Sequence, residues 1–158
     1  MGFAYLRETG YTIAGYIDDM LNVEDSPQES IENAHYSIKV FTFLGFTIHL
    51  IKSDLNPSKR KVFLGFIINS EYMIVENKVE KSEKVLSLCK KLLSQEKHTI
   101  RFVAKVVGTL ISTFPAVKYG PLYYRNIDMC KNVALKQNNG KFSSKMSLNR
   151  LAKDELGG

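Results

Sequence analysis

Asp18 and Asp19 are adjacent carboxylates in the run Tyr16-Ile17-Asp18-Asp19, with Tyr11-Thr12-Ile13-Ala14-Gly15 before it and Met20-Leu21-Asn22-Val23 after it. Two such groups on a tight turn between strands can direct oxygens at Mg²⁺. Two-metal sites hold their ions about 3.5–4 Å apart, one activating an attacking oxygen and the other stabilising a leaving one. The pair by itself is weak evidence, since a chain of this length contains one by chance about half the time at ordinary composition. Aspartates also favour turns because their side chains bond the local backbone. Metal ligation and turn formation therefore both stand at this point. Other chemistry has less support. Cys89 and Cys130 lie far apart with no second Cys or His at ligand spacing, which argues against zinc and against a disulfide framework. His35, His49 and His98 do not cluster in the sequence and read as packing or surface residues.

The elements that must hold the pair follow from local pattern. β-branched and aromatic residues on both sides of Asp18-Asp19 predict a hairpin with the carboxylates at its tip. Ser26-Pro27-Gln28-Glu29 supplies an N-cap serine, a proline at the first helical position and a glutamate three residues on, a capping box. The helix it opens carries Ile31, Ala34, Ile38 and Phe41 at steps of three and four and leaves at Gly45. Phe46 to Ile51 alternates like a half-buried strand, and Lys52-Ser53-Asp54-Leu55-Asn56-Pro57 reads as a turn. Val62 to Ile68 and Met73 to Val75 predict two further strands. From Asn77 the period becomes helical. Asn77 and Glu80 suggest a cap pair, with Val79, Leu86 and Leu93 beside Val85, Cys89 and Leu92 on one stripe. A second helix follows Thr99 and ends before Pro115, and a third is expected from Tyr119 to Lys136. The expectation is an α+β fold with an antiparallel sheet and a packed helix in residues 1–76, a helical part over 77–137, and a polar linker over 138–158.

Charge divides along the same line. Up to Ile51, Arg7 and Lys39 face seven carboxylates, whereas Lys52 onward holds 20 of the 22 cations against 9 of the 16 acids. Between His98 and Arg150 only Asp128 opposes nine cations. A basic half of this kind is an electrostatic footprint for phosphate backbones. The chain is 158 residues long, 44% hydrophobic and 24% charged, which excludes a disordered or collagen-like polymer. It is long enough to remove about 68–70% of its unfolded surface from water without metal or disulfide staples. Its two longest uncharged runs, Val40 to Ile51 and Val106 to Val117, fall well short of the roughly 18 residues of a spanning helix. The opening residues show no basic start followed by an apolar stretch, so an intracellular location is expected.

The order of these pieces resembles the reverse transcriptases of retroelements. Tyr16-Ile17-Asp18-Asp19 at a hairpin looks like the family's catalytic palm motif. Lys52-Ser53-x-Leu55-x-Pro57 followed by Phe63-Leu64-Gly65-Phe66 resembles the segment leading into the hairpin that grips the primer. Thr99-x-Arg101, Val107-Gly108-x-Leu110 and Gly120-Pro121-Leu122-Tyr123-Tyr124-Arg125 resemble elements of the DIRS and gypsy types. The resemblance implies a partial palm over 1–76, a helical thumb over 77–137 and a linker toward a further domain. It implies that Asp18 and Asp19 bind two Mg²⁺ or Mn²⁺ ions and catalyse nucleotidyl transfer, and that Tyr16 lies beneath the primer terminus. Leu64, Gly65 and Phe66 would form the primer grip, where a missing side chain lets nucleic-acid backbone approach, while by itself Gly65 equally fits a strand bulge. Lys52 would face the triphosphate or protonate pyrophosphate, the competing reading being a solvated loop lysine. Lys59, Arg60, Lys61, Arg101, Lys105, Lys118 and Arg125 would contact phosphates. The implied partners are an RNA or DNA template–primer duplex and deoxynucleoside triphosphates, with no membrane.

The sequence also departs from that family. Its polymerases complete the metal site with another aspartate on an upstream strand, and the residues before Asp18 include none. Glu24 and Asp25 sit where a helix start already accounts for acidic residues. The chain alone is therefore expected not to polymerise. The competing expectation is a non-catalytic remnant whose basic helices grip a duplex while the Asp pair is idle.

Overall fold

A computed structural model describes residues 2–157. The fold is mixed, with helices and small antiparallel sheets, in agreement with the α+β expectation. The chain forms two compact units, Met1–Leu64 with Ile68–Met73, and Gly65–Ile67 with Ile74–Gly158.

The first unit opens with helix α1 (Gly2–Glu8), which the sequence patterning did not bring out, and continues into strands β1 (Thr12–Tyr16) and β2 (Asp19–Val23). These pair antiparallel, Thr12 opposite Val23 and Tyr16 opposite Asp19, forming the expected hairpin. A two-stranded ribbon is marginal in water unless something covers a face. Here α1 packs on β1, and helix α2 (Pro27–Phe43) packs on β2. The shared core is Leu6, Ile13 and Phe41, with Phe3, Tyr11, Met20, Tyr36, Val40 and Ile48 against it.

Both ends of α2 obey local rules. The Ser26 hydroxyl accepts from Glu29 N at 3.2 Å and donates to the Glu29 carboxylate at 2.7 Å, with Pro27 at the first position. At the other end Gly45 takes φ +87°, its N–H donates to Thr42 O, and Phe46 N–H donates to Phe41 O. This is a Schellman ending, which satisfies carbonyls that the helix leaves open, and the Phe41 and Phe46 rings meet edge-on at 5.6 Å beneath it. Part of the buried face of α2 is polar. Asn33 donates its amide to the Glu24 carboxylate, and Ser37 donates to Asn33 Oδ1 at 3.4 Å.

The expected strand over Phe46 to Ile51 does not form. Among the described residues its alternation has no neighbouring strand to pair with, and the backbone turns into a short 3₁₀ segment, Leu50–Lys52, closed by Lys52 N–H to His49 O. The expected single strand Val62 to Ile68 is two, β3 (Arg60–Phe63) and β4 (Phe66–Asn69), joined at Leu64-Gly65 and followed by β5 (Ile74–Asn77) in the order β3-β4-β5.

The second unit is mainly helical: α3 (Val79–Leu93), α4 (Ile100–Ile111), α5 (Arg125–Gln137) and α6 (Arg150–Gly157), with a small ribbon of β6 (His98–Thr99) and β7 (Lys145–Met146). Its core joins Leu92, Ile100, Val103, Val106, Val107 and Ile127. The helix expected after Thr99 is α4, and Thr99 caps it, accepting from Phe102 N at 3.2 Å. Three expectations are corrected. The cap of α3 is Lys78, without a side-chain bond, and Asn77 ends β5 with its Oδ1 buried and unpartnered. Within the stripe foreseen on α3, Leu92 is buried while Val79, Leu86 and Leu93 are exposed. Residues Tyr119 to Tyr124 are not helical; Gly120 and Pro121 enter a 3₁₀ turn in which a Cβ on Gly120 would meet the Phe114 ring at 2.7 Å.

The segment expected to be a linker is folded. Met146, Leu148 and Ala152 are buried in the helical core, and the Glu155 carboxylate on α6 accepts from Asn126 N, Ile127 N and the Asn126 amide at the start of α5. Met146, Leu148, Ala152 and Leu156 enter or pack against the core while Phe142 and Leu151 stay exposed, and the spacing Leu148, Ala152, Leu156 is the helical signal that the polar composition masked.

Candidate functional site

The carboxylate turn belongs to the first unit. Because Tyr16 pairs with Asp19, only Ile17 and Asp18 form the loop, and Asp19 is already the first residue of β2. Ile17 takes φ +53° and is 77% exposed. A β-branched side chain is a true outlier in the left-handed region, and such strain persists only where the surroundings impose it. What holds the ribbon is visible one residue back. A Cβ on Gly15 would come within 2.3 Å of the Phe3 ring, so the missing side chain lets α1 press an aromatic ring against β1. Phe3 is in turn 5.0 Å from the Phe41 ring of α2. The tip is thus mounted on two helices through one glycine. Tyr16, Asp18 and Asp19 are all exposed, and neither aspartate has an ion-pair partner among the described residues.

These residues do not by themselves fit a two-ion site. Among the described residues no group of three His, Cys, Asp or Glu side chains could hold a metal. Glu24, the nearest candidate in sequence, is bonded to Asn33.

The second turn joins Leu64 at φ +49° to Gly65 at φ +80°, between β3 and β4. Two consecutive left-handed residues make a tight hairpin turn, so Gly65 is required by the turn and is not a strand bulge. Nothing lies within 4 Å of where its Cβ would stand, leaving the backbone open to approach. Phe66 is engaged differently: the Lys81 ammonium lies 4.0 Å from its ring centroid.

The expected cations have distinct surroundings. Lys52 ends the 3₁₀ segment, exposed. Lys59 pairs with Glu71 at 3.5 Å, and Lys61 with Asp54 at 2.5 Å, which holds the Asp54 carboxyl below its ordinary range. Arg60 opens β3. Arg101 and Lys105 stand exposed on α4, and Lys118 lies 5.4 Å from the Tyr119 ring. Arg125 begins α5 beside a shallow hollow of about 310 Å³ that also meets Asp128 and Lys136. Three cations that the sequence reading did not single out, Lys78, Lys81 and Lys84, line a groove with Lys105. Their spacing of three residues at the start of a helix was the available signal. The reading of the histidines holds for His98, which is buried, donates Nε2–H to Leu92 O at 2.8 Å and stacks on Phe102.

No protein-family model, no curated protein and no solved structure matches the chain.

Proposed function

We propose that this chain is the palm-and-thumb portion of a retroelement reverse transcriptase, in which an intact polymerase adds deoxynucleotides to a primer on an RNA or DNA template. The observation that supports it most is the exposed two-residue turn that presents Asp18 and Asp19 on a strained backbone at Ile17. Strain at an exposed carboxylate tip has no use in the core, and strained residues concentrate at functional sites. In this reading the first unit is partial palm and the helical unit is thumb. Asp18 and Asp19 contribute to a two-ion Mg²⁺ or Mn²⁺ site whose remaining ligands come from other parts of the polymerase. Tyr16 supports the primer end, Leu64-Gly65-Phe66 offers an open backbone to it, and the exposed cations meet phosphates. Among the described residues no helix is long and apolar enough to cross a membrane.

A second reading, a nucleic-acid-binding remnant without catalysis, is favoured by the lack of a third metal ligand among the described residues. The two differ in one experiment. The chain alone gives no primer extension in Mg²⁺ under either. In a full-length parent carrying this sequence, Asp18→Asn with Asp19→Asn abolishes extension if the pair is catalytic. Unchanged extension would remove the pair from the active site.

A further inference from the structure

Helix α3 carries an apolar line that the core does not use. Val79, Leu86 and Leu93 stand seven residues apart and are 68%, 56% and 40% exposed. Seven residues fall about 20° short of two full turns, so the three side chains form one nearly straight line about 21 Å long. The core takes a different arc of the same helix, through Leu88, Cys89 and Leu92, with Leu92 about 120° from Leu86 around the axis. Burial within the unit accounts for Leu92 and leaves the seven-residue line unexplained.

Two charges beside that line are also uncompensated. Glu83 and Lys90 lie on one flank of it, again seven residues apart and both exposed, and neither has an ion-pair partner among the described residues. Their own helix offers none. Three and four residues from Glu83 stand Val79, Glu80, Leu86 and Ser87, and from Lys90 stand Leu86, Ser87, Leu93 and Ser94, so no opposite charge is within helical reach. A second copy of α3 supplies the complement. With the two helices antiparallel about a two-fold axis at Leu86, Leu86 meets its own copy and Val79 meets the partner's Leu93. That axis reverses the helix direction and keeps the two charged flanks side by side. Glu83, three residues before the axis, then lies level with the partner's Lys90, four residues beyond it, with an axial offset of about 1.5 Å. The symmetry forms the same pair a second time. Parallel helices give no such match, because each charged flank would then face Ser82 and Cys89 of the other copy.

We infer that α3 is a self-association surface on which two copies of this chain pair antiparallel through Val79, Leu86 and Leu93, with Glu83 and Lys90 setting the register. The helix is already folded within its unit, so pairing carries no cost of helix formation. One helix per copy makes a small interface, under about 1,200 Å², which gives a weak dimer that forms at high protein concentration. The inference goes beyond the polymerase reading and does not depend on it.

The test is sedimentation equilibrium of the full chain at concentrations up to about 1 mM. The wild-type chain is expected to show a monomer–dimer equilibrium. Glu83→Lys alone and Lys90→Glu alone each turn both ion pairs into like-charge contacts, and each is expected to weaken the dimer about tenfold. Glu83→Lys with Lys90→Glu restores both pairs in the swapped sense and is expected to return the dimer to within about threefold of wild type. Leu86→Lys, on the axis and exposed, is expected to abolish it. These substitutions are at exposed positions, so the thermal midpoint of the monomer is expected to stay near wild type. A chain that remains monomeric throughout overturns self-pairing and leaves the line to a different protein. A dimer unchanged in the single variants forms elsewhere, as on the exposed apolar residues of the first unit, and overturns the inference. A double variant no stronger than the single ones overturns it as well.

Discussion

Ile17 is the residue that carries the strain of the carboxylate turn. Its side chain is mostly in solvent, so replacing it forfeits little burial, while its φ of +53° is a conformation that glycine adopts freely. Ile17→Gly is therefore expected to stabilise the chain by about 1 kcal/mol, the relief of strain exceeding the added entropy of the unfolded glycine. Chemical denaturation measures it, and a destabilised variant would show that Ile17 is not strained. The sequence made the Asp pair and its hairpin legible because β-branched residues flank a two-residue polar interruption. It could not make the strain legible, since Ile17 reads as one more strand former. Gly65 shows the same limit. A glycine between apolar strand residues fits a bulge, a close approach or a turn, and only the backbone angles of Leu64 and Gly65 together decide for the turn. Burial also sets reactivity at this scale: partial burial pushes the Cys89 thiol above its ordinary value, as expected for a packing cysteine.

At the element scale, elements with local signatures were legible and those that depend on partners were not. α2 could be read at both ends because Ser26, Pro27, Glu29 and Gly45 act on backbone within a few residues. The strand expected at Phe46 to Ile51 failed because alternation specifies a face and not a partner, and among the described residues no strand lies alongside it. The final segment failed in the opposite sense. Leu148, Ala152 and Leu156 recur every four residues, a helical stripe hidden by the polar residues around it; they enter or pack against the core with Met146, and Glu155 satisfies the first N–H groups of α5. α6 is thereby part of the helical unit. Ala152 is fully buried, so Ala152→Asp would place an unpaired carboxylate in that core. The expected outcome is a loss of at least about 3 kcal/mol, seen as a lowered thermal midpoint with loss of helical circular dichroism. A midpoint within a degree or two of wild type would show that the segment is the linker its composition suggests.

At the scale of the whole molecule, charge and exposed apolar surface divide the labour. The acidic start carries the carboxylate turn, and the basic remainder carries the groove and the exposed cations of α4 and α5. The first unit also leaves large apolar side chains in solvent, with Phe43 91% and Ile51 95% exposed, and among the described residues its β1–β2 ribbon has two strands only. Open strand edges and bare aromatics are places where further protein can pack, which accords with a partial palm. In the proposed reading the Asp18-Asp19 turn meets the end of a primer. The most direct measurement places a photoreactive nucleotide at the recessed 3′ end of a primer on an RNA template and maps the crosslinked peptide on this chain by mass spectrometry. The account expects crosslinks within Tyr16 to Asp19, competed away by unlabelled duplex with a recessed 3′ end. Crosslinks confined to other residues, with none in that turn, would contradict it.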